Sequence, residues 1–134
     1  MAAITAQHRP SRPSTIVLHA AIVGLTLATA AIHSSLGGFL FTLNAIGYTI
    51  FAAALVVPGP VGHARWLVRY ALMGFTSATI LGWIAFGARF DLAYIDKALE
   101  AALVGLLLIE SWALDGGPLA IARRVQRLAV SALR

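Results

Sequence analysis

Of the 134 residues, 60% are hydrophobic and only 11% charged, against roughly a quarter charged in a soluble domain, so the composition excludes a soluble globular fold and points to one compact membrane-embedded domain. The absence of cysteine excludes disulfides, iron–sulfur clusters and thiolate zinc sites. The net charge of +5 does not signal nucleic acid, because the basic residues flank apolar segments and form no groove-sized patch; anionic lipid head groups are the expected partner.

Residues 1–14 read as a short tail ahead of the first apolar run. A helix needs about 20 apolar residues to cross the hydrocarbon core, and the run at 15–35 meets that length. Basic residues before it and the ATA at 28–30 also fit a secretory signal peptide, but the run is long enough to span, and a retained helix is expected. Ala20, Gly24 and Ala28 follow in four-residue steps, the spacing that allows close helix contact in lipid. His19 and His33 share one face, about 21 Å apart along the axis, with Thr26 between them. Two stacked b-type haems use histidines at such spacing. The remaining histidines, His8 in the tail and His63 in a loop, supply no opposing ligands, so only a homodimer or a partner subunit would complete such a site. No cofactor is otherwise expected.

The second span is predicted over 38–57 and carries Asn44. The connection PGPVGHAR (58–65) leads to a third span over 66–88, where Gly74, Ala78 and Gly82 repeat the small-residue spacing. The fourth is predicted over 93–114. Short connections force antiparallel neighbours, so the expected fold is all-α, a membrane-spanning up-down-up-down four-helix bundle. Trp66, Tyr70 and Trp112 at one boundary and Phe90 and Tyr94 at the other read as belt anchors. After Gly116-Gly117-Pro118, residues 115–134 form a basic tail. At about 100° per residue, Arg123, Arg124, Arg127 and Arg134 share one arc, with Ile121, Val125 and Leu128 opposite. This amphipathic helix is expected to lie on the lipid surface with its arginines at the head groups; docking to a protein partner is the alternative.

Orientation follows from the basic residues. Both termini and the 58–65 connection collect Arg9, Arg12, Arg65, Arg69, Arg123, Arg124, Arg127 and Arg134; the other side receives Arg89 and Lys97, together with Asp91 and Asp96. Both termini are expected in the cytoplasm, with the protein in a bacterial inner membrane.

Ionisable groups inside a span are costly and face the bundle interior. Counted from the helix ends at 1.5 Å per residue, Glu100 lies about 8–10 Å below the outer boundary. Asn44 and Thr29 lie at a similar depth, with His33 one turn above Thr29. These four residues are expected to form a periplasm-facing polar pocket, able to bind a cation, relay a proton or hold a small polar ligand. The bland reading is a hydrogen-bond cluster that only joins helices. Glu110 is expected to reach the head-group layer or to pair with Arg69.

The stretches AAIH (30–33) and GGFLFTLNAIGY (37–48) resemble small four-span bacterial membrane proteins of unknown function, common in high-GC genomes. Those proteins carry a histidine ending the first helix and an aromatic- and leucine-rich opening of the second, with Asn or Gln. The resemblance covers about residues 16–112, with a shorter connection after His33, and implies location and fold but no activity.

No Walker loop, GxSxG, HExxH or paired-carboxylate motif occurs, so hydrolase, nucleotide and zinc chemistry have no support. No catalytic residue or metal ligand set is assigned. The expected function is that of a non-enzymatic accessory or structural subunit, homo-oligomeric or joined to other membrane subunits. The alternative is a small redox (haem b) or ion- and proton-handling protein using His33 and Glu100.

Overall fold

A computed structural model describes residues 12–133, which form six helices and no strand. These are α1 (Pro13–Leu36), α2 (Phe39–Val56), the single turn α3 (Pro60–His63), α4 (Arg65–Phe86), α5 (Asp91–Asp115) and α6 (Pro118–Ala132). Most of the predicted N-terminal tail, with His8 and Arg9, and the terminal Arg134 lie outside the described residues.

Local chemistry sets the helix boundaries. Proline stands in the first turn of α1, α3 and α6, where its missing N–H costs no hydrogen bond. Gly37 and Gly38 both take positive φ, 69° and 89°, a conformation that other residues adopt only under strain. They fold α2 back against α1. At the end of α5, Gly116 is left-handed (φ 78°), and the Gly117 N–H donates to the Ser111 carbonyl at 3.1 Å. That satisfies an otherwise orphaned carbonyl and turns the chain into α6.

The four long helices close a ring in which α1 touches α2 and α5, and α4 touches α2 and α5. Helices α2 and α5 are diagonal. Side-chain pairs run in opposite directions along neighbours: His19 meets Glu110 while His33 meets Asp96, and Arg69 meets Asp115 while Trp83 meets Tyr94. The neighbours are therefore antiparallel. Ile22, Tyr48, Leu55, Leu72, Leu103 and Leu107 are fully buried along the axis.

Three helices, α1, α2 and α4, are long and apolar enough to cross a membrane. Helix α5 is the longest, at 25 residues, and its charges set it apart. Its buried positions, Ala93, Asp96, Glu100, Leu103, Leu107 and Glu110, recur at helical spacing on one face. Tyr94, Ile95, Ile109 and Trp112 point outward. The helix is polar towards its neighbours at both ends and apolar on its free face, and so lowers its mean hydropathy while Asp96, Glu100 and Glu110 stay buried.

At Gly24, Gly74 and Gly82 the small-residue ridges meet no other helix among the described residues. Ala20 and Gly24 are exposed, and a Cβ added at Gly24, Gly74 or Gly82 would meet nothing within 4 Å. Ala28 is half-buried, and Ala78 and Gly82 border a cavity. Close approach instead occurs at Gly47, where an added Cβ would lie 2.7 Å from the Phe75 ring.

Candidate functional site

Two polar clusters stand at opposite ends of the bundle, each built from one histidine of α1 and acids of α5. The first lies at the end carrying the Gly37–Gly38 turn. His33 there is 1% exposed, Asp96 1% and Glu100 0%. The His33 Nδ1 lies 3.0 Å from the Thr29 carbonyl. A carbonyl can only accept, so Nδ1 carries a proton, and it also lies 3.5 Å from Asp96 Oδ1. The other ring nitrogen, Nε2, lies 3.8 Å from Glu100 Oε1. Tyr48 donates its hydroxyl to the same oxygen at 2.8 Å and sits 3.1 Å from the Thr79 hydroxyl. Lys97 Nζ donates to Glu100 Oε2 at 2.6 Å and lies 3.0 Å from Asp96 Oδ2. The inner oxygen of Asp96, Oδ1, is buried without a hydrogen-bond partner. The two carboxylates and the one ammonium sum to a single formal negative charge around the imidazole.

A cavity of about 640 Å³ opens beside this cluster. His33, Asp96 and Lys97 stand on its wall with Asn44 and Thr79, and aromatic rings supply much of the rest: Phe41, Phe75, Trp83, Phe86 and Phe90. The cavity exists because α4 presents Ala78 and Gly82 here.

Of the four expected pocket residues, the structure brings His33 and Glu100 together. Thr29 contributes its carbonyl, while its buried hydroxyl has no partner. Asn44 is half-buried on the cavity wall, and among the described residues it makes no hydrogen bond to His33 or Glu100. Tyr48, one turn further along α2, takes that role. Tyr48, Asp96 and Lys97 are the members that sequence reasoning missed. The signals were present: Asp96, Lys97 and Glu100 are spaced to share a helix face, and a tyrosine hydroxyl deep in an apolar helix needs a partner.

The second cluster lies at the α3 end. His19 Nε2 faces the Leu55 carbonyl at 3.2 Å and Nδ1 faces Glu110 Oε1 at 2.8 Å. Both partners are acceptors, so the His19–Glu110 pair holds one proton beyond a neutral imidazole and a carboxylate. Arg69 is buried and forks onto Asp115, with Nη2 2.7 Å from Oδ1 and Nε 3.0 Å from Oδ2; its Nη1 lies 3.8 Å from Glu110 Oε2. Glu110 is fully buried, contrary to the expected head-group position, and its close partner is His19 with Arg69 further away. Tyr70 and Ser111 join their hydroxyls at 2.7 Å. Both His19 nitrogens are engaged by the protein, so iron ligated there would have to break one of these contacts.

Chemically, the turn-end cluster can hold a cation. One ligand atom each from His33, Asp96 and Glu100 lies within 4.8 Å of the others, and all three residues are buried. Helix α6 packs its first turn on α5 through Ile121. Arg124 lies over the Trp66 ring at 5.2 Å, while Val125 and Leu128 remain exposed. The chain matches no family model, no curated protein and no solved structure.

Proposed function

We propose that the protein is a non-enzymatic four-span protein of a bacterial inner membrane that holds a cation at its periplasmic end. The observation that carries this reading is the buried set His33, Asp96 and Glu100, with the Asp96 Oδ1 lacking a partner. A carboxylate buried without full compensation is costly, and a bound cation would offset that cost. Melting temperature in mild detergent provides the test, with manganese as a compact metal and tetraphenylphosphonium as a bulky organic cation. At least one should raise the melting temperature of the wild type and leave that of Asp96→Asn unchanged. If neither acts on the wild type, the reading is wrong.

The fourth span is α5, whose Asp96, Glu100 and Glu110 are turned inward and whose free face is apolar. The excess of arginine at the α3 and α6 end supports cytoplasmic termini, and Arg123, Arg124 and Arg127, all exposed, suit an anionic leaflet. The absence of native cysteine makes topology simple to read. A cysteine at Phe90 should react with an impermeant thiol reagent in intact spheroplasts, and one at Gly62 should not. The reverse pattern would put the cavity in the cytoplasm.

A second reading, an accessory subunit within a homo-oligomer or a larger membrane assembly, draws on the open space above Gly24, Gly74 and Gly82, into which another helix could pack. Native purification followed by mass spectrometry would identify such partners.

A further inference from the structure

We infer that the cation is organic, lipophilic and singly charged, and that its apolar groups fill the aromatic cavity while its charge is held beside Asp96. The inference rests on the cation-site reading above and adds the class of ligand.

Charge is the first argument. Asp96, Glu100 and Lys97 sum to one negative charge, so a monocation closes the balance, whereas a divalent metal would leave a net positive charge in a buried site. Lys97 also occupies one oxygen of each carboxylate, at 2.6 Å and 3.0 Å. A compact metal would have to compete with a tethered ammonium for its donors.

Access is the second. Asp96 lies on the cavity wall and Glu100 does not, so a cation arriving through the cavity meets Asp96 first. The Asp96 Oδ1 is the carboxylate oxygen of this cluster without a hydrogen-bond partner.

The third argument is the wall. A cavity of about 640 Å³ falls within the range of small-molecule sites, roughly 300–1,000 Å³. Phe41, Phe75, Trp83 and Phe86 line it, and aromatic faces attract ammonium-like cations when these are poorly hydrated. Trp83 already behaves so towards the protein's own charge, since the Arg89 guanidinium lies 4.0 Å from its ring centroid. A hydrated inorganic ion would leave this apolar surface without a partner. A cation bearing hydrocarbon or aryl groups satisfies the wall and the carboxylate together.

The test uses the full-length protein in mild detergent, with tetraphenylphosphonium titrated against tryptophan fluorescence and melting temperature. Saturable quenching and a raised melting temperature are expected for the wild type. Asp96→Asn should weaken binding by about tenfold or more, because the Coulomb attraction of a carboxylate in a low-dielectric site is lost. Gly82→Leu should weaken it comparably by filling the cavity without touching a carboxylate, and it stands as an independent check should Asp96→Asn fold poorly. Trp83→Phe should lose most of the quenching but keep the melting shift, placing the probe beside that ring. Manganese should act on Lys97→Gln, where the cluster carries two negative charges, more than on the wild type. If manganese stabilises the wild type through Asp96 and tetraphenylphosphonium does not, the ligand class is wrong while the cation site stands. Tetraphenylphosphonium binding unchanged in both Asp96→Asn and Gly82→Leu would mean partition into the micelle and overturn the inference. No response to either cation overturns both.

Discussion

Arg69→Met is expected to destabilise the bundle by about 3–5 kcal/mol, the loss seen when one partner of a buried ion pair is removed. Arg69 is 4% exposed and makes three hydrogen bonds to Asp115. Without it, Asp115 and the fully buried Glu110 are left with the proton of the His19 pair as their sole positive charge within that cluster. Arg69→Lys keeps the charge but not the planar fork and should lose less. The double variant Arg69→Met with Asp115→Leu should regain much of the loss, because an apolar pair of similar volume replaces the ion pair. Denaturant unfolding in detergent, followed by helix content, ranks the three. If Arg69→Met falls within about 1 kcal/mol of the wild type, the range of exposed ion pairs, then the guanidinium is solvated and the cluster does not hold α4 to α5.

Helix α5 shows what was legible in the sequence and what was not. Its extent and its apolar, outward-facing Ile95 and Ile109 follow from length and periodicity, and Glu100 stands out because a mid-helix acid demands an inward face. Asp96 and Lys97, one turn earlier, look like ordinary boundary charges when depth is counted along the helix. Asp96 is buried because His33 of α1 packs against it, and Lys97 is partly buried beside both acids, a fact of register between two helices distant in sequence. The substitution of Tyr48 for Asn44 has a similar cause. Depth alone puts Asn44 level with Glu100, but α2 and α5 are diagonal in the ring. An asparagine is too short to cross the bundle axis and a tyrosine is long enough. Ridge spacing fails for a different reason: a four-residue step of small residues marks a face without saying what lies opposite, and at Gly24 and Gly74 none of the described residues does. Glu110 could be read as polar and near a boundary, but its pairing with His19 depends on the antiparallel register that also brings His33 to Asp96.

The two clusters share a plan with opposite balance. At the α3 end, Arg69 and the proton held by the His19–Glu110 pair match two carboxylates. At the turn end, Lys97 is the one permanent cation facing two, with His33 beside them. The same α1 and α5 scaffold is thus closed electrostatically at one end and short of one positive charge at the other, beside the cavity.

That asymmetry yields the expected behaviour of Glu100. Glu100→Gln keeps an acceptor for the Tyr48 hydroxyl, which now lies 2.8 Å from Oε1, and leaves Lys97 its contact with Asp96 at 3.0 Å. It removes the unbalanced charge, and a neutral amide is cheaper to bury than a carboxylate. The melting temperature should equal or exceed that of the wild type, while stabilisation by an added cation falls. Glu100→Leu removes the acceptor as well. Tyr48 then keeps only Thr79, Lys97 loses its 2.6 Å contact, and each buried group left short of a partner should cost about 1–3 kcal/mol. Thermal unfolding in detergent should therefore order the proteins with Gln at or above wild type and Leu below. A stabilised Glu100→Leu would mean that Tyr48 and Lys97 do not depend on the carboxylate and that Glu100 does not hold the turn end together. A destabilised Glu100→Gln would show that the full negative charge is already balanced in the resting protein, leaving no charge for a ligand to neutralise.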